Sequence, residues 1–309
     1  MNRAESLSPS AKKKTFKSGF ISIIGRPNVG KSTLLNRILS EKVAIVSDKP
    51  QTTRNRITGI KNLDNAQLIF VDTPGIHKAR SKLNRHMVDV SFKAFRDSDL
   101  TLLLTDQREE IGKGDRYIMS SLEARGISSF LLINKIDLLK PEQILSLIDV
   151  YSRDYTFSEI IPISAATGEG VDTLLRMIVR YLPEGPRYFH EEMVTDQPEQ
   201  FIIAELIREK VIDSTREEIP YSIAVVVEDI REGSRRDAIV VDAVIYVEKN
   251  SQKGIIIGKG GEMLKRIGTR AREEMIERRL GSKIYLNLWV KVKKDWRKDD
   301  KALKELGIK

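Results

Sequence analysis

"GRPNVGKS", residues 25–32, decides the reading of the first half of the chain. It matches G-x-x-x-x-G-K-[ST] and lies between a predicted strand, "FISIIG", and a predicted helix, "KSTLLNRILS", the context that motif requires. Glycines at such a turn let backbone N–H groups curl around phosphates, and the helix N-terminus adds the positive end of its dipole. Gly25, Arg26, Pro27, Asn28, Val29 and Gly30 would form the cradle. Lys31 would reach the β- and γ-phosphates, and Ser32 would ligate Mg²⁺.

Three more stretches follow, each at the carboxyl end of a predicted strand, where sheets of this kind bind ligands. In "DTPG" (Asp72, Thr73, Pro74, Gly75), Asp72 can hold Mg²⁺ through a water and the Gly75 N–H can sense a γ-phosphate. In "NKID", the Asp137 carboxylate can accept both N1–H and the N2 amino protons of guanine, a donor pair that adenine lacks. Buried polar pairing of this kind discriminates strongly. Asn134 would tie the loops together, and the stem of Lys135 would pack on the base. "ISA" supplies Ser164 and Ala165, with the Ala165 N–H available to the guanine carbonyl. This half therefore reads as binding GTP. Within "DKPQTTRNR" (48–56), Gln51, Thr52, Thr53, Arg54 and Asn55 read as a switch segment. One threonine there would complete the Mg²⁺ shell only while a γ-phosphate is present, and Thr53 is preferred over Thr52.

Around these motifs, short apolar runs alternate with amphipathic stretches from Phe20 to about Tyr181. The alternation predicts an α/β domain, a mostly parallel sheet with helices on both faces. "YLPEGPRYFHEEMVTDQPEQ" breaks the rhythm and reads as a linker. Beyond it the predicted order is helix, strand, strand, helix, helix, strand, a separate α+β unit. The expected division is a flexible basic arm (1–17), a GTPase domain (18–181), a linker (182–200) and an α+β domain with a basic tail (201–309).

A second glycine-rich loop, "GIIIGKGGE" (254–262), precedes a long basic helix in that last unit. The layout is that of a type II KH domain, whose G-x-x-G loop clamps single-stranded nucleic acid. Gly258, Lys259, Gly260 and Gly261 would meet the phosphate backbone, and Ile255, Ile256 and Ile257 form either an apolar floor for bases or ordinary core. Lys265, Arg266, Arg270 and Arg272 extend a basic surface along the helix, each equally at home on a solvated face.

Charge supports a polyanion partner. The formal net charge is +9, and residues 251–309 alone carry 17 Lys/Arg against 8 Asp/Glu. There is no cysteine, so disulfides and thiolate chemistry are excluded and a reducing cytosol is expected. No apolar run approaches the roughly 18 residues of a membrane span, and the polar N-terminus does not look like a secretion signal.

"GRPNVGKSTLLN", "QTTRNR", "DTPGIH", "NKID" and the linker "LPEGP…TDQPEQF" together resemble the Era family of GTPases, over nearly the whole chain except the first dozen or so residues. The resemblance implies a slow GTPase using GTP/GDP and Mg²⁺, with a potassium ion, ligated by Asn28, in place of an arginine finger. Ile76 stands where Ras-like enzymes place a water-orienting glutamine, so the attacking water must be positioned otherwise. It further implies binding to the 3′ end of 16S rRNA, a role in 16S rRNA processing and small (30S) subunit assembly, and peripheral attachment to the inner face of the cell membrane. A monomer without a DNA partner is expected. The alternatives are a GTPase of RNA modification or of the membrane and cell cycle, and an RNA-binding module whose nucleotide is only structural. A modification enzyme should carry a further catalytic domain, and a purely structural site should carry a broken motif. Neither is seen in the sequence.

Overall fold

The computed structural model describes residues 15–50, 52–75, 82–106, 111–124, 126–233, 238–278, 280 and 283–308. Gln51 and Ile76 fall outside the described residues.

The first domain runs β1 (Lys17–Gly25), α1 (Lys31–Leu39), β2 (Ile57–Leu63), β3 (Ala66–Asp72), α2 (Lys82–Arg96), β4 (Leu100–Thr105), α3 (Lys113–Glu123), β5 (Ser129–Ile133), α4 (Pro141–Asp154), β6 (Glu159–Pro162) and α5 (Val171–Tyr181). The sheet order is β2-β3-β1-β4-β5-β6, parallel except for β2, which pairs antiparallel with β3. β3 to β5 are buried along their whole length, because helices cover both faces and strand alternation then disappears. Leu34, Leu35, Ile38 and Leu39 of α1 recur at helical spacing and enter one face's core with Leu174 and Ile178 of α5. Ile118 and Leu122 of α3 pack on the other face with Leu147 and Tyr151 of α4. The chain crosses from one side of β1 to the other between β3 and β4, and the phosphate loop follows β1 at that reversal.

The stretch read as a linker is strapped to this sheet. Ile60 N–H donates to Val194 O (2.7 Å), Thr195 Oγ1 to Thr58 O (2.6 Å), and Tyr188 and Phe189 N–H to Gln67 Oε1 (2.8 and 2.9 Å). Its prolines end the preceding periodicity, but its polar backbone still finds partners along β2 and β3.

The second sheet follows α6 (Glu199–Ser214) and α7 (Ile219–Ser222) and contains β7 (Ala224–Glu232), β8 (Ala238–Val247) and β9 (Lys283–Val292), in that order. Between β8 and β9 lie α8 (Asn250–Ile257) and α9 (Glu262–Glu277). β7 and β8 are antiparallel; β8 and β9 are parallel, joined by the α8–α9 crossover. α6, α8 and α9 share one core beneath the sheet through Ile207, Val211, Ile256, Ile267, Ala271 and Met275. The basic tail is also folded. α10 (Asp300–Glu305) and the fully buried Trp296 pack with Leu83 and Met87 of α2, so the chain end closes back on the first domain. No helix among the described residues is long and apolar enough to cross a membrane.

Candidate functional site

Gly30 caps the N-terminus of α1, with a φ of 100° that suits glycine. A Cβ there would lie 2.3 Å from the Asn134 amide nitrogen. That absence lets Asn134 Nδ2 donate to Val29 O (2.7 Å) while its Oδ1 accepts from Ala165 N–H (2.9 Å). Asn134 thus ties the phosphate loop to the "NKID" and "ISA" loops. Lys135 Nζ donates to Asn28 O (2.9 Å), and the exposed Asp137 receives the Ser164 hydroxyl (2.6 Å), which orients its carboxylate.

On the phosphate side, Lys31 Nζ donates to Arg26 O (2.9 Å) and Gly25 O (3.3 Å), inside the loop. Burial lowers its pKa to about 8, although Asp72 opposes the shift. Asp72 is raised by burial, against Lys31 and the hydrogen bonds from Ser32 and Thr53. Ser32 Oγ lies 2.7 Å from Asp72 Oδ2 and 2.9 Å from Thr53 Oγ1. Asp72 Oδ1 is buried without a partner. Three side-chain oxygens and one orphaned carboxylate oxygen therefore converge beside a buried ammonium, a donor set that fits a hard divalent cation next to a phosphate. Thr52 instead donates to Lys49 O (2.6 Å), away from this cluster. Thr73 bonds Ile23 O (2.9 Å), and Pro74 O accepts from Ser91, so both brace the loop that presents Gly75.

Arg26 departs from the simple phosphate-binding picture. Its Nε reaches Asp115 (2.8 Å) and its Nη2 reaches Asp106 (3.0 Å), so the side chain braces α3 and only its backbone faces the loop. Asn28 adopts φ 65° and donates from Nδ2 to Asp48 O (2.7 Å), tying the phosphate loop to the segment before the switch.

Arg54 takes its partners far from the Ser32–Thr53–Asp72 cluster. Only 4% exposed, it donates to Ile223 O, Pro220 O (3.1 Å) and Tyr221 O (3.2 Å) and lies over the Trp296 ring. Burial, then the neighbouring Arg208, lowers its pKa to about 9. Arg208 of α6 donates to Thr52 O, and Asn55 Nδ2 donates to Gly307 O (3.1 Å). A second bridge joins Lys42 to Glu209 (2.6 Å) and Glu274 (2.7 Å), with Lys210 and Arg278 completing the cluster. The sequence gives no sign of these contacts, because a cation seated in another domain leaves no local pattern.

In the second loop, Gly258, Gly260 and Gly261 have φ of 74°, 61° and 83°. A Cβ on Gly258 would sit 2.7 Å from Met263 Cβ, whereas the positions at Gly260 and Gly261 open to space. Lys259, Lys265 and Arg266 are exposed beside it, as is Arg272 further along α9. Ile255 is half exposed and Ile257 partly buried. Ile256 is fully buried, so it belongs to the core rather than to a floor for bases: α8 turns that side chain under the sheet. Arg270 pairs with Asp213 (3.3 Å) on α6, which restrains it.

Residues 20–135 match the family described as 50S ribosome-binding GTPase, and residues 218–297 match the KH domain. The chain is 57% identical to GTPase Era of Syntrophus aciditrophicus, over 94% of this chain and 95% of that one. It is 53% identical to GTPase Era of Geobacter metallireducens, over 94% and 98%. Among solved structures, Era in complex with MgGDPNP and nucleotides 1506–1542 of 16S ribosomal RNA superposes with a TM-score of 0.92 at 41% identity, covering 95% of this chain and 99% of that one. An Aquifex aeolicus Era variant bound to GDP and aluminium fluoride gives 0.92 at 40%, with the same coverage. With a phosphate loop, a guanine-side loop set and a G-x-x-G turn on one chain, and with relatives this similar over nearly its whole length, the chain belongs to the Era family of GTPases.

Proposed function

We propose that this GTPase is a switch that binds the single-stranded 3′ end of 16S rRNA in its GTP state and acts in 16S rRNA processing and 30S subunit assembly. The observation that carries this reading is the switch segment itself: it reaches the nucleotide site through Thr53 and the KH domain through Arg54. Gly25–Ser32 and Asp72–Gly75 would hold the phosphates, and Asn134, Lys135, Asp137, Ser164 and Ala165 the guanine. Ser32 and Thr53 would ligate Mg²⁺, with Asp72 acting through a water. The metal supplies charge neutralisation at the phosphates. Lys31 adds a fixed positive charge there, and the Asp137 carboxylate, aimed by Ser164, selects guanine.

Gly258–Gly261 would take the RNA backbone, with Lys259, Lys265 and Arg266 adding charge. A relative's structure with 16S rRNA nucleotides supports that partner. A cytoplasmic location, peripheral attachment to the membrane's inner face, a monomeric state and the division into arm, GTPase domain, strap and KH domain belong to the same proposal. The test is cross-linking in cells followed by sequencing of the attached RNA, with wild type beside a Gly260→Asp, Gly261→Asp variant, two positions where a side chain meets open space. Enrichment at the small-subunit RNA 3′ end, lost in the variant, is expected. Enrichment elsewhere would overturn the ribosomal assignment, and no difference between the two would return the loop to a simple turn.

A further inference from the structure

Strand β9 has two unlike faces. Ile284, Leu286, Leu288 and Val290 pack inward with the core beneath α8 and α9. Lys283, Tyr285, Asn287, Trp289 and Lys291 alternate outward and are exposed. Tyr285 is 46% and Trp289 45% exposed. The chain has two tryptophans, and the other, Trp296, is fully buried. Large rings left in water forgo burial that folding normally gains, and Tyr and Trp are enriched at interfaces, where an apolar body and a polar tip both find use. Four positions apart on one strand face, the rings are separated by about 13 Å.

The charged groups beside the rings pair with one another. Asp242 accepts from Asn287 (2.7 Å) and from Arg231, and its carboxyl is held below the usual range by Arg231 first and then Asn287. Asp229 also pairs with Arg231 (2.7 Å), and Glu228 pairs with Lys291 (3.3 Å). A sheet face that pairs Arg231 and Lys291 with carboxylates and exposes two rings suits bases, whose phosphates can stay in water. α10 and Trp296 pack at Ala224, Val226 and Tyr246, one end of the sheet, and Tyr285 lies toward the other.

A G-x-x-G loop clamps about four nucleotides, whereas the RNA held by the relative runs from nucleotide 1506 to 1542. α8 and α9, which flank the clamp, lie over the inner face of β9, and β9 is the edge strand of its sheet. A single strand running on from the clamp to the outer face of β9 would cross that free edge. We propose that Tyr285 and Trp289 form a second single-stranded RNA subsite, a stacking platform for unpaired bases beyond those in the clamp. This rests on the RNA reading above. Stacking tolerates any base because each has a π-face, so sequence selection stays with the clamp while the platform adds affinity.

The test uses the full chain with Mg²⁺ and a non-hydrolysable GTP analogue, and two labelled RNAs: nucleotides 1506–1542 and a fragment of about four nucleotides that fills the clamp alone. Tyr285→Ala with Trp289→Ala should weaken the long RNA about 10-fold or more and leave the short one unchanged. The long RNA should quench tryptophan fluorescence and the short one should not. Trp289→Phe should lose the quench while holding affinity within a few-fold, a readout independent of any folding defect in the alanine variant. Equal weakening of both RNAs, or long-RNA binding with neither loss nor quench, would overturn the platform and leave the face to a protein partner. Gly261→Asp, at a position where a side chain meets open space, checks the parent reading separately: if that variant keeps both RNAs, the clamp assignment fails whatever the rings do.

Discussion

Thr53 and Arg54 are adjacent in the chain, yet their side chains serve different domains. Thr53 Oγ1 lies 2.9 Å from Ser32 Oγ at the phosphate loop, and the Arg54 guanidinium sits on the carbonyls of Pro220, Tyr221 and Ile223 beside Trp296. One backbone step separates a contact on the phosphate loop from contacts in the KH domain. A shift of Thr53 must pull on Arg54 or break its bonds.

Arg54→Ala should therefore uncouple the two sites. Wild type is expected to bind RNA more tightly with a GTP analogue than with GDP, and by linkage RNA should tighten the analogue by the same factor. In the variant both ratios should fall toward one. The alanine also strands buried carbonyls, so a loss of about 2–3 kcal/mol in stability is expected. Titrations in each nucleotide state check the first claim and denaturant unfolding the second. Equal RNA affinity in both states of wild type would remove the coupling.

Asp137→Asn should change which base is accepted. The amide presents a donor where guanine needs an acceptor, so GTP affinity should fall at least about 10²-fold while xanthosine triphosphate gains. Competition binding with the two nucleotides reads this directly. Unchanged guanine preference would mean that the Ser164–Asp137 pair does not face the base.

The interdomain charge cluster should weaken in acid. Burial pushes Glu274 up, but hydrogen bonds from Lys210 and Lys42 dominate and bring it from 4.5 down to about 2. A depressed carboxylate contributes its full stability above the unfolded value and loses it as pH falls through the folded one. The contribution should therefore fade between about pH 4.5 and 2. Glu274→Gln should melt below wild type near neutral pH, and the two curves should converge in that window. A constant difference across it would assign Glu274 a packing role only.

Asn28 should confer dependence on the monovalent cation if it ligates potassium. GTP hydrolysis is expected to run faster in potassium than in sodium, with the difference lost in Asn28→Ala. The same substitution removes the Asn28–Asp48 tie, so nucleotide affinity should be measured beside the rate. Equal rates in both salts would remove the potassium assignment.

Sequence alone determined the fold of the first half almost completely. Its motifs are local strings, each lying where a strand ends and a loop begins. The predicted order of helix, strand, strand, helix, helix, strand in the second half is the one observed, apart from the added α7 and α10. "KIYLNLWVKVK" has the alternation that β9 shows, though nothing local told which face the KH helices would cover. Tertiary structure decided the rest. Ile256 went to the core because α8 turns it inward, the proline-rich linker became a strap because β2 and β3 offered partners, and the basic tail folded because α2 presented Leu83 and Met87. Arg54 is the sharpest case. Its neighbours in sequence mark a switch, but its partners are residues 220–223, and only folding brings such distant carbonyls within reach of a buried cation.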